Sequence, residues 1–223
     1  MKVRLGYRAT LLAVIGLGLV MPIAHADVIY DSRSNFQAAT SGLDTITFEG
    51  IAPPVGSVSV SSPPGLTLDG VNFSIDRSNG SDGSLYVVGP DFYYPGNSVL
   101  TSQQATVYDN NITINLPSGV FALGLDYGSF FGGPLIFTFS EGTQLLRFAP
   151  DLNEGLSFVG IISTVAISSL NISADPSETL NIGNVSFGSS APAAVPEPAT
   201  HIPAGIAALF GLAILLHKHR RTT

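Results

Sequence analysis

The sequence predicts an all-β protein between residues 27 and 188, an antiparallel β-sandwich of the jelly-roll kind. Short apolar runs in this region are separated by Gly, Pro, Asn and Ser, the spacing typical of strands and turns. Apolar and polar residues alternate within several runs, as at Ile112, Ile114 and Leu116, which gives each strand one buried face. No internal repeat of fixed period is visible, which argues against a propeller or a solenoid.

Residues 1–26 have the order of a secretory signal peptide. A charged start, MKVRLGYR, precedes the apolar run ATLLAVIGLGLVMPIA, and Ala24 and Ala26 are the small residues that signal peptidase reads. We expect export through the Sec translocon and cleavage between Ala26 and Asp27. An uncleaved membrane anchor is the alternative, which the small-x-small site disfavours. The chain contains no cysteine, so neither a disulfide nor a lipid-modified cysteine is available to it.

The predicted domain begins with a short helix in SRSNFQAATSGL, with Ser32 or Ser34 as its N-cap and Gly42 as its stop. Twelve apolar runs bounded by turn residues are predicted to follow as strands. They cover residues 45–48, 55–61, 71–75, 85–88, 98–101, 105–116, 120–126, 135–140, 145–148, 156–162, 165–172 and 180–187.

Charge limits the partners of this domain. All sixteen acids lie between Asp27 and Glu197, where only the three arginines Arg33, Arg77 and Arg147 oppose them, a formal charge of −13. Phosphate backbones would be repelled by such a surface. We therefore expect no binding to nucleic acid.

The domain also lacks the residue types of most active sites, because it contains no His, Lys, Cys or Trp. This composition excludes Ser-His-Asp and Cys-His nucleophiles, His or Cys zinc sites and Schiff-base lysines. We expect no catalytic residues and no enzyme activity. A glycosidase with paired carboxylates is the remaining enzymatic alternative, and no motif pairs its candidates, which are Glu49, Asp91, Asp126, Glu141 and Glu154.

Acidic loops outside the cell often bind calcium, which takes about six to eight oxygen ligands. The loop DRSNGSDG, residues 76–83, offers Asp76 and Asp82 as ligands. It is not an EF-hand, since Ser81 and Val87 stand where that loop needs Gly and Glu. A plain Asn-Gly or Asp-Gly hairpin turn is the alternative interpretation.

Two aromatic loops are candidates for sugar stacking. DFYYPG, residues 91–96, contains Tyr93 and Tyr94, and DYGSFFGG, residues 126–133, adds Tyr127, Phe130 and Phe131. Aromatic rings in Gly-rich loops can stack on the face of a sugar. The alternative is that these rings fill the core and brace the loops.

The C-terminal segment predicts a membrane anchor. Residues 189–198 are rich in Pro, Ala and Ser, so we expect them to be extended and accessible. Residues 199–216 are an apolar run of eighteen that would form about 27 Å of helix, enough to span a thin bilayer. The basic tail 217–223 would stay in the cytoplasm through Lys218, Arg220 and Arg221.

A short acidic motif precedes this helix. Val195, Pro196, Glu197 and Pro198 present one carboxylate between two prolines that fix the backbone. The order of this motif, a single membrane helix and an Arg-rich tail resembles the PEP-CTERM sorting signal of Gram-negative bacteria. The resemblance covers about thirty residues and is met by the motif, the helix and the tail.

The resemblance implies a route and a location. In that family an exosortase, an integral-membrane protease, is thought to recognise the Pro-Glu-Pro motif and to release the protein. We therefore expect a transient inner-membrane anchor, followed by residence at the cell surface or in the extracellular polysaccharide matrix of a biofilm. The expected role is structural or adhesive. A carbohydrate-binding module, with or without calcium, is the alternative function.

The resemblance extends weakly into the domain. In such secreted proteins a phrase like FEG opens the sandwich, and here Glu49 stands in TFEG. Residues 158–163 approximate a middle phrase, and Asn181 or Asn184 stands where the closing phrase has Asp. A structural calcium between the first and last strands would use Glu49 and Asn184 as ligands.

Overall fold

The computed structural model describes residues 27–75, 84–103, 110–175 and 177–189. Among them no helix combines the length and the apolar character that a bilayer crossing requires. The predicted signal peptide, apolar C-terminal helix and basic tail lie outside the described residues. So do the individual residues Ala24, Ala26, Asp76, Asp82, Val195, Pro196, Glu197, Pro198, Lys218, Arg220 and Arg221.

Short strands dominate the described residues, as the alternating apolar runs predict. One helix, α1, spans Arg33–Ala39. The strands are β1 Val28–Tyr30, β2 Asp44–Ile46, β3 Ser57–Val60, β4 Leu66–Leu68, β5 Val71–Ile75, β6 Ser84–Val88, β7 Val99–Gln103, β8 Asn110–Asn115, β9 Ala122–Ser129, β10 Pro134–Phe139, β11 Gln144–Phe148, β12 Ser157–Ile162, β13 Ser169–Ala174 and β14 Leu180–Gly188.

The strands form two antiparallel sheets. The larger sheet has the order β1-β12-β9-β14-β7-β6-β3, and the smaller has the order β11-β10-β13-β8-β5-β4. Strand β14 is central in the larger sheet, with β9 along one side. Its other side is shared, because Leu180–Ile182 pair with β7 and Val185–Phe187 pair with β2. The register with β9 shifts between Ile182 and Val185, which marks a bulge in β14.

The core lies between the two sheets. Alternate residues of β10, Leu135, Phe137 and Phe139, are buried on its inner face. Phe137 meets Tyr127 of the larger sheet edge to face, with ring centroids 5.1 Å apart. One cluster of buried side chains contains residues of both sheets. The predicted antiparallel β-sandwich is therefore confirmed.

Helix α1 packs on the outer face of the larger sheet. Its N-cap is Ser32, whose hydroxyl accepts a hydrogen bond from the backbone N–H of Asn35, as predicted. Phe36 is fully buried and forms a small second core with Ala122 and Phe158. The helix ends before the predicted stop at Gly42, because the C-cap Thr40 is already extended.

Candidate functional site

The two predicted aromatic loops lie next to each other. Residues 89–98 connect β6 to β7, and residues 130–133 connect β9 to β10. Ring centroids lie 4.8 Å apart for Phe92 and Tyr93, 5.6 Å for Tyr93 and Phe130, and 5.1 Å for Phe130 and Phe131. All three contacts are edge to face. We call Phe92, Tyr93, Phe130 and Phe131 the aromatic cluster, and its three phenylalanines are exposed.

Tyr94, the other predicted sugar-stacking residue, is buried. Its side chain is 1% exposed and packs with Val88 and Val99. Its hydroxyl accepts a hydrogen bond from Nδ2 of Asn181 at 3.3 Å. Burial raises the pKa of Tyr94 to about 12. The ring of Tyr94 therefore has no face available to a sugar, and its role in this structure is to anchor the loop.

Polar side chains that the sequence did not single out fix the second aromatic loop. The hydroxyl of Ser129 accepts hydrogen bonds from the backbone N–H groups of Gly132 and Gly133, at 2.8 and 3.2 Å. The buried carboxylate of Glu178 accepts one from the N–H of Phe131 at 3.3 Å. No sequence signal indicates the role of Glu178, because it is far from the loop along the chain.

Asp91 shapes the first loop. Its carboxylate accepts a hydrogen bond from the N–H of Gly96 at 2.8 Å, which closes the turn that holds the exposed ring of Phe92. The backbone of Asp91 is left-handed, with φ of 65°. Asp91 was one of the glycosidase candidates. In the structure its carboxylate binds the backbone of its own loop.

Arg33 joins two other candidates, Asp126 and Asn184. Its guanidinium forms an ion pair with Asp126 at 2.7 Å and donates to the carbonyl oxygen of Asn184 at 3.2 Å. The amide of Asn184 donates to the second carboxylate oxygen of Asp126 at 3.3 Å. The guanidinium also lies 4.8 Å from the ring centre of Phe158. A side-chain cation therefore already neutralises the carboxylate next to Asn184.

The calcium prediction stays a prediction. Strand β2 pairs with β14, so the first and last segments of the hypothesis are adjacent. Glu49 lies in an exposed turn after β2. Within residues 27–75, 84–103, 110–175 and 177–189, no three Asp, Glu, His or Cys side chains lie close enough together to hold a metal ion.

Glu141 is the glycosidase candidate with a perturbed environment. Burial raises the pKa of the Glu141 carboxyl, and the nearby Asp27 carboxylate raises it further. Both carboxyl oxygens of Glu141 are enclosed by protein. A general acid must contact the glycosidic oxygen of its substrate. An enclosed carboxyl cannot make that contact in this structure.

Comparison with known proteins gives little. No family model matches the chain, and no curated protein matches it. One similar solved structure is a mutant of CBM29-2, described as a family 29 carbohydrate-binding module. It is 10% identical, with a TM-score of 0.34, and the alignment covers 64% of this chain and 98% of that module. A likeness of this size carries no conclusion about fold or function.

Proposed function

We propose that this chain is an exported, non-catalytic protein of the cell surface or the extracellular polysaccharide matrix, with a structural or adhesive role. Its sorting would use the C-terminal signal that resembles PEP-CTERM. The observation that carries the proposal is the order of Pro196-Glu197-Pro198, eighteen apolar residues and a basic cluster. Signal peptidase, the Sec translocon and an exosortase-type protease are the partners of this route.

The way in which the sandwich ends supports this proposal. Strand β14 is held on both sides, and the carbonyl oxygen of its last residue, Gly188, accepts a hydrogen bond from the N–H of Phe121 at 2.8 Å. Glu197 is the ninth residue after Gly188, a separation that spans about 30 Å when the chain is extended. A membrane protease could therefore reach Glu197 without contact with the sandwich. Cleavage there would leave every described strand in place.

The use of carboxylates in the domain favours a non-catalytic role. Asp126 is paired with Arg33, Asp91 closes a loop, and the oxygens of Glu141 are enclosed. Each of these three carboxyl groups is bound or enclosed by the protein and is not free to act on a substrate. Catalysis would require two carboxylates facing one open site.

The proposal is tested by replacement of Glu197 in the native host. Glu197→Gln keeps the shape of the side chain and removes its charge, so we expect uncleaved protein to accumulate in the inner-membrane fraction. Glu154→Gln is the matched control, because Glu154 is an exposed acid of the domain. The proposal is wrong if the Glu197 variant matures and reaches the surface as the wild type does.

A second candidate function, carbohydrate binding, is favoured by the aromatic cluster. Three of its rings are exposed, and their loops are held by backbone N–H groups that donate hydrogen bonds to Ser129 and Asp91. Fixed, exposed rings lose little conformational entropy when a sugar stacks on them. Titration with polysaccharide from the host should show saturable binding that Phe92→Ala weakens. Binding that this change leaves intact would exclude the aromatic cluster as the site.

A further inference from the structure

The outer face of the smaller sheet carries a groove that the sequence did not predict. It crosses four strands, and its middle row is set by register, because Ile136 pairs with Leu146 on one side and Ser173 on the other. Ser173 in turn pairs with Asn111. The groove encloses about 740 Å³ and is open to solvent. This volume lies within the range of ligand sites in proteins, roughly 300–1,000 Å³.

One side of the groove is apolar and exposed. Phe148, Leu146 and Ile136 are 72%, 58% and 45% exposed, and Pro134 lies beside them. Leu135 and Phe137, the alternate residues of β10, are buried, and those of β11 are partly buried, so strand alternation turns these side chains outward. Contiguous exposed apolar side chains of this kind mark binding surfaces.

The other side of the groove is polar and uncharged except at one end. Asn111, Asn171 and Ser173 line it with amide and hydroxyl groups, of which Oδ1 of Asn111 is enclosed by protein. Nδ2 of Asn171 donates to the hydroxyl of Thr113 at 3.0 Å, which fixes the orientation of that amide. Amide and hydroxyl groups opposite an exposed phenyl ring suit a sugar, which has hydroxyl edges and an apolar face.

Charge selects among sugars. Asp175, at one end of the groove, accepts hydrogen bonds from the N–H and the hydroxyl of Ser177 at 3.0 and 2.7 Å, and these bonds lower the pKa of its carboxyl. None of the described lining residues is a cation. Arg147 of β11 is turned away from the groove and donates to Asp31 at 2.9 Å. An anionic sugar would meet one fixed carboxylate and no partner.

We propose that this groove binds a neutral polysaccharide chain, with Phe148 as the stacking surface and Asn111, Asn171 and Ser173 as the hydrogen-bonding edge. This inference deepens the proposed function by naming the chemistry of the matrix partner. It rests on the proposed function only for the location, the cell surface or matrix, in which the protein would meet that polysaccharide. A second copy of this chain is the competing occupant, because β11 is also the edge of the smaller sheet.

Affinity electrophoresis of the full chain tests the proposal, in a detergent without a sugar head group. The probes are hydroxyethylcellulose and galactomannan, which are neutral, and alginate, which is anionic. We expect at least one neutral polymer to slow migration and alginate to have no effect. Phe148→Ala should weaken the retardation about tenfold. Phe131→Ala tests the aromatic cluster as the competing site, and Val165→Ala is the control, since Val165 is 44% exposed and lies outside both the groove and the aromatic cluster.

Several outcomes would overturn the groove as the site. They are retardation by alginate alone, no retardation by either neutral polymer, and loss of binding with Phe131→Ala in place of Phe148→Ala. A change of oligomeric state with Phe148→Ala, without glycan binding by the wild type, would assign the face to a second copy. None of these results depends on Glu197, so failure of sorting and failure of glycan binding are read separately.

Discussion

Gly124 and Gly160 face each other on adjacent strands of the larger sheet, and the ring of Phe36 lies on both of them. A Cβ atom at Gly124 would lie 2.8 Å from the Phe36 ring, and one at Gly160 would lie 2.7 Å from it. The two glycines therefore form a flat packing surface for Phe36, the only side chain of α1 that is fully buried. The contact of Phe36 with these two glycines fixes the position at which α1 crosses the sheet.

Gly160→Ala should destabilise the sandwich by about 1–3 kcal/mol, because the added methyl group overlaps the Phe36 ring. Phe36→Ala alone should cost about 3–5 kcal/mol. The cost of the double variant should be smaller than the sum of the two single costs, since the small side chain at position 36 makes room for the methyl group. Urea unfolding followed by tyrosine fluorescence measures all three variants. Strictly additive costs would show that Phe36 does not rest on Gly160.

Tyr94→Phe should lower the free energy of unfolding by about 1 kcal/mol at neutral pH, because it removes the acceptor of the Asn181 amide. It should also change the response to alkali. Folded Tyr94 keeps its proton up to about pH 12, whereas the unfolded chain loses it near the ordinary value of 10.0. Stability should fall as pH rises between these values, and less steeply in the variant. Identical slopes would contradict the buried position of Tyr94.

Glu141→Gln should stabilise the protein at neutral pH by about 0.5–1 kcal/mol, the scale of one hydrogen bond. The folded state holds the Glu141 proton to a higher pH than the unfolded chain does, so stability is lost as pH rises above the ordinary value of 4.5. The variant and the wild type should be equally stable below this value. Thermal unfolding at pH 3.5 and pH 7 compares them. A destabilising effect at neutral pH would refute the enclosed position of this carboxyl.

Arg33→Met should cost about 1–3 kcal/mol, because it leaves the partly buried Asp126 carboxylate with the Asn184 amide as its remaining described partner. Asp126→Asn should recover part of this loss when the two changes are combined, since no charge is then left unpaired. Urea unfolding of the four proteins gives the coupling between Arg33 and Asp126. Zero coupling would mean that the ion pair does not hold α1 to β9.

The sequence predicted the strands that are long enough to show an alternation of apolar and polar residues. Val71–Ile75 has the predicted bounds, with three buried residues alternating with two partly exposed ones. Strands β1 and β4 were not predicted, because three residues are too few to show a period and only pairing with β12 and β5 defines them. Strand β13 begins at Ser169 and not at 165, since the N–H of Ile167 bonds to Val120 outside the ladder.

The candidate sites were only partly readable. Composition indicated two aromatic loops, but neighbouring tyrosines in one turn gave no sign that Tyr93 would be partly buried and Tyr94 fully buried. The groove was not predictable from any single segment. Its residues come from four strands, and only the register of the smaller sheet places Phe148 and Asn111 on one face.

The intact mass of the protein released by its native host tests the central claim most directly. The account predicts a chain that begins at Asp27 and ends within Val195–Pro198, because the exported domain is freed at the motif between the sandwich and the apolar helix. A mature protein that still ends at Thr223 would contradict it, since the C-terminal helix would then be a permanent anchor and Glu197 would have no part in sorting.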